Sequence, residues 1–93
     1  MNNSEILKIL ESQPDETWMA DVLHDGEGHY CALGWLHKTL HPEDKMEVDK
    51  SAAYIYHEMD ALLGYQLSMD IQGRNDDSRT HAEALEAFRS ILS

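Results

Sequence analysis

Long hydrophobic runs are missing from this 93-residue chain, and cysteine, proline and basic residues are scarce. The longest apolar stretch, Cys31-Ala32-Leu33-Gly34-Trp35-Leu36, is far too short to span a bilayer. The start, Met1-Asn2-Asn3-Ser4-Glu5, has neither the basic flank nor the apolar block of a signal peptide. A single cysteine excludes a disulfide within the chain. These features together lead to the expectation of a cytoplasmic protein. With seven Lys and Arg against eighteen Asp and Glu, the formal net charge is −11 with histidines neutral. Such a field disfavours DNA, RNA and anionic membranes as direct ligands and favours a basic partner or a cation.

What is present suits one small domain, residues 1–93, with 42% hydrophobic content and no low-complexity segment or repeat. Ser4 is a suitable cap for a first helix whose apolar face holds Ile6, Ile9 and Leu10, closed near Pro14. Trp18–Leu23 reads as a short strand or a packed loop, and Asp25-Gly26 with His29-Tyr30 would complete a hairpin. A helix follows from Cys31 towards Leu40, ended by His41-Pro42, with Gly34 marking a close backbone approach. The longest helix is expected from Asp49, with Ile55, Met59 and Leu62 inward. Gly64 would end it, with Tyr65 packing back behind it. Leu67, Met69 and Ile71 alternate with Ser68, Asp70 and Gln72, which is strand periodicity, and residues 73–77 read as a loop. Thr80 and Glu83 form a capping box for a last helix with Leu85, Phe88, Ile91 and Leu92. The expected fold class is mainly α (α+β), with about four helices and one or two short strands.

Trp18, the run Tyr30-Cys31-Ala32-Leu33-Gly34, and Asn75-Asp76-Asp77 before a final amphipathic helix resemble a family of small phage and bacterial proteins, the DUF6197 type. The order and spacing agree from Trp18 to Leu92. The resemblance implies a small cytoplasmic, phage-encoded protein and implies no reaction. Trp35 and the acidity depart from the family pattern.

Four kinds of chemistry are worth weighing. His24, His29, Cys31 and His37 are a conceivable zinc set, and His37 and His41 are four apart, but no paired metal motif is present. The expected metal and cofactor complement is therefore none. Cys31 at a helix start could be a nucleophile, yet a small buried apolar role explains it more simply. Asn75-Asp76-Asp77 offers clustered oxygens for a cation, but turn formation and capping account for the same residues.

The carboxylates carry the functional case. Glu43, Asp44, Glu47, Asp76 and Asp77 are the expected contacts to a basic partner, with Tyr54 as an exposed aromatic anchor. The leading expectation is a non-enzymatic acidic protein that docks on and inhibits a basic, nucleic-acid-binding host protein. It would act as a nucleic-acid mimic, in the manner of an anti-CRISPR inhibitor. The alternative is a small metal-binding domain or hydrolase centred on Cys31 and the nearby histidines.

Overall fold

The computed structural model of the chain describes residues 1–44 and 52–93, and in that range five α-helices share one core. They are α1 (Asn3–Glu11), α2 (Ala32–Leu40), α3 (Ala53–Leu63), α4 (Tyr65–Asp77) and α5 (His81–Leu92). A short 3-10 turn, Asp15–Thr17, follows Pro14. The expected Asp49 start of the long helix lies outside the described residues.

The first helix forms as its apolar spacing requires, burying Ile6 and Leu10. Its cap is Asn2 and not Ser4: the Asn2 Oδ1 accepts the Glu5 N–H at 2.8 Å. At the other end of the chain, Thr80 Oγ1 accepts the Glu83 N–H at 3.2 Å, and α5 buries Ala84, Phe88 and Leu92 against α1 and α4. Helix α2 runs through the middle, touching α1, α3 and α4, and buries Cys31, Ala32, Leu33 and Leu36. Helix α3 adds Ile55 and Met59. Leu62, expected inward, is exposed.

Two glycines have geometric reasons. A Cβ on Gly34 would lie 2.0 Å from the Leu23 carbonyl oxygen, so only glycine lets the 23–31 segment lie against α2. Gly64 has φ +88°, which breaks the chain between α3 and α4 at little steric cost. Tyr65 does not pack back behind it. It opens α4 and is two-thirds exposed.

The expected strands are corrections. Residues 65–77, including the expected strand at 67–72 and the loop at 73–77, form the single helix α4. Its buried residues are Ser68, Ile71, Gln72 and Asn75, spaced i, i+3, i+4 and i+7. Three of those four are polar, so a hydrophobic count misses the helical period. The hairpin is also absent among the described residues. Trp18 and His24 each make only an isolated bridge to Tyr30. Segment 18–30 is instead a packed loop, with Asp21, Gly26 and Gly28 at positive φ. Its backbone is tied by Met19 N–H to Tyr30 O and Tyr30 N–H to Thr17 O. The buried Gln13 amide donates to the Thr17 and Tyr30 carbonyls, which satisfies the loop from the core side. Among the described residues, no helix is long and apolar enough to cross a membrane.

Candidate functional site

Chemistry-bearing side chains gather at the two ends of α2. At the N-terminal end, Asn75 of α4 is fully buried and all four of its hydrogen-bonding positions are filled. Its Oδ1 accepts from the Trp18 indole N–H at 2.8 Å and from the Ala32 N–H at 3.0 Å. Its Nδ2 donates to the Met19 carbonyl and to Asp76 Oδ1. Cys31 is the cap residue of α2 but gives the helix no side-chain cap, so Asn75 satisfies that first N–H from another helix.

Asp76 is drawn into the same brace. Its Oδ1 accepts the Asp21 N–H at 2.8 Å and its Oδ2 accepts from the Gln72 amide at 2.9 Å. Cys31 is fully buried, with Sγ 3.4 Å from Gln72 Oε1. Burial, with the Asp76 charge adding to it, pushes the thiol up to about 11. A thiol so buried and shifted upward is a poor nucleophile.

At the C-terminal end, the His41 N–H closes the last turn of α2 on the His37 carbonyl at 2.9 Å. That bond holds both imidazoles on one face, with ring centroids 4.8 Å apart. Glu58 comes from α3 and bridges them, Oε1 at 2.7 Å from His37 Nδ1 and Oε2 at 2.5 Å from His41 Nε2. The far nitrogen of His37, Nε2, is 2.7 Å from Asp44 Oδ2. The Tyr54 hydroxyl donates to that same oxygen at 2.8 Å, and its ring stands edge-on to His37. Lys38 Nζ donates to the Pro42 and Asp44 carbonyls, which fixes the turn carrying Asp44.

The electrostatics follow from this geometry. Burial works to raise the Glu58 carboxyl, but hydrogen bonds from His37 and His41 and their charge outweigh it, so it lies below its usual range. The Tyr54 phenol is pushed up to about 12 by desolvation, by donation to Asp44, and by the Asp44 and Glu58 charges. It therefore stays a donor.

Of the expected contact residues, Glu43 and Asp77 are exposed, Tyr54 is 41% exposed, and Asp44 and Asp76 are held in the internal networks just described. Glu47 lies outside the described residues. Asp44 and Asp76 sit at opposite ends of α2, about 13 Å apart along a nine-residue helix. Asp44 and Asp76 therefore do not belong to one contiguous patch.

The zinc set that the sequence makes conceivable, His24, His29, Cys31 and His37, does not assemble. His29 pairs with Asp25 at 2.5 Å, Cys31 faces Gln72, and His37 faces Glu58 and Asp44. Among the described residues, the set that does come together is His37, His41 and Glu58, whose ligand atoms lie within 4.8 Å of one another. The i, i+4 histidines were visible in sequence, whereas Glu58 was hidden by its separation along the chain.

A further feature was missed. The end of α4 and the outer face of α5 enclose a shallow groove lined by Asp77, Glu83 and Glu86, with Arg74 as its cation. No protein-family model, curated protein or solved structure matches the chain.

Proposed function

We propose that this protein is a non-enzymatic acidic binding domain that docks on a basic protein surface. The observation that supports it most is the excess of carboxylate over cation in the chain, together with an α4–α5 groove in which three carboxylates face one arginine. Asp77, Glu83 and Glu86 give a partner's lysine or arginine an acceptor site between two helices. Glu43 adds charge near the C-terminal end of α2. The negative field steers a basic partner into encounter and the groove fixes its register.

A surface built to grip a nucleic-acid backbone is the natural complement. In this reading the protein blocks that surface as a nucleic-acid mimic, an anti-CRISPR-like inhibitor of a host defence factor. The family resemblance to small phage proteins is consistent with such a role. Full burial of Cys31, with its thiol pushed up to about 11, weighs against a hydrolase centred on it.

The experiment is affinity capture from host lysate across a salt series, comparing the protein with a double reversal, Asp77→Lys and Glu86→Lys. Glu83 is left alone because it occupies the first turn of α5. A captured basic protein should elute with salt and with competing DNA. The double reversal should weaken it at least about tenfold, as two attractions of about 0.5–1 kcal/mol become repulsions. Capture insensitive to salt and to the reversal contradicts electrostatic docking.

A further inference from the structure

We infer that His37, His41 and Glu58 form a divalent transition-metal site of the zinc class, independent of the docking surface. Three features of the geometry converge on this.

The first is the ligand set. Two imidazoles and a carboxylate are ligands that zinc takes, and imidazole argues against calcium or magnesium. The donor atoms are His37 Nδ1, His41 Nε2 and the Glu58 carboxylate: each imidazole nitrogen touches its own carboxylate oxygen, at 2.7 and 2.5 Å, and all lie within 4.8 Å of one another. Around a tetrahedral zinc with bonds of about 2.0–2.1 Å, neighbouring ligand atoms stand about 3.3 Å apart. Each imidazole–carboxylate contact needs to open by only about 0.7 Å, within the reach of small side-chain rotations.

The second is the outer shell. A metal-bound histidine commonly gives its other ring nitrogen to a carboxylate, which fixes the tautomer and raises ligand basicity. Asp44 Oδ2 occupies that position on His37 Nε2 at 2.7 Å, and Tyr54 in turn orients Asp44. The His37 side chain is 3% exposed and thus held in place, an ordering that a solvated surface histidine would lack.

The third is polarity and access. The site lies at the C-terminal end of α2, where the helix carbonyls favour a cation, in a chain of net charge −11. His41 is 41% exposed, so one side of the site opens to solvent and leaves room for a water as fourth ligand. The shallow groove along α3, lined by Tyr54, His57 and Glu58, adjoins it.

The test is calorimetric titration of untagged, metal-stripped protein with Zn²⁺ alone, supported by the visible spectrum of the Co²⁺ form. One saturable equivalent is expected, with the intense absorption of tetrahedral cobalt. Because His41 is partly exposed, His41→Ala should keep its circular dichroism while losing at least about a hundredfold in zinc affinity, together with the cobalt band. Asp44→Asn should lose about tenfold, as outer-shell changes do. His29→Ala, outside the site, should match the parent protein. Absence of saturable binding overturns the site, as does a folded His41→Ala that binds equally well. Loss of binding in His29→Ala would move the metal to the 24–31 loop and equally overturn it.

Discussion

The two ends of α2 are both polar, and they are polar in opposite ways. At the N-terminal end a neutral amide, Asn75, is fully buried and every donor and acceptor it owns is used. At the C-terminal end the groups are titratable, His41 is half-open to solvent, and imidazoles meet carboxylates. A saturated network centred on a neutral amide has no valence left there for a ligand, so its value is rigidity and a fixed loop position. An ionisable, partly exposed network keeps its chemistry available. The contrast separates the brace of this fold from its reactive corner.

Substitution sharpens that contrast, beginning with the brace. Asn75→Ala should cost the most, about 3 kcal/mol or more, because it strands the Trp18 indole N–H, the Ala32 N–H and the Met19 carbonyl in a buried place. Urea denaturation monitored by tryptophan fluorescence gives the value, and a loss below 1 kcal/mol would show that the brace is dispensable. Gly34→Ala comes next, at about 2–3 kcal/mol, since its Cβ must push the Leu23 carbonyl away from α2. The same denaturation curve measures it, and an unchanged midpoint would mean that the loop rides freely over the helix. Smallest is His41→Ala, at about 1 kcal/mol or less, because its partner is reached from a half-exposed position. A cost equal to that of Asn75→Ala would erase the distinction between the two ends.

Much of the fold was legible and some of the site was not, for identifiable reasons. Helices α1 and α5 announce themselves because Ile6 and Leu10, and Phe88 and Leu92, fall on the buried stripe that hydrophobic spacing detects. Gly34 and Gly64 were marked correctly because close approach and positive φ are properties of the residue type. Helix α4 was read as a strand because its buried face is Ser68, Gln72 and Asn75 around Ile71, while Met69 points outward. A polar buried face has no hydrophobic signal. The same cause hid the role of Asn75: turn chemistry and local capping were expected, but its acceptor serves a helix 43 positions away. At the other end, His37 and His41 could be paired by their spacing of four, since that is local geometry. Glu58 could not, because only the packing of α3 on α2 brings it to them.

The distinction between a closed brace and an open corner is tested most directly by a zinc titration followed in the amide and indole N–H resonances of the intact protein. The account predicts that shifts begin at His37, His41, Glu58 and their neighbours and saturate at one equivalent. The Trp18 indole and the Ala32 and Asn75 amides should stay where they are. Shifts spread evenly over the surface carboxylates, or centred on the Asn75 brace, would contradict it.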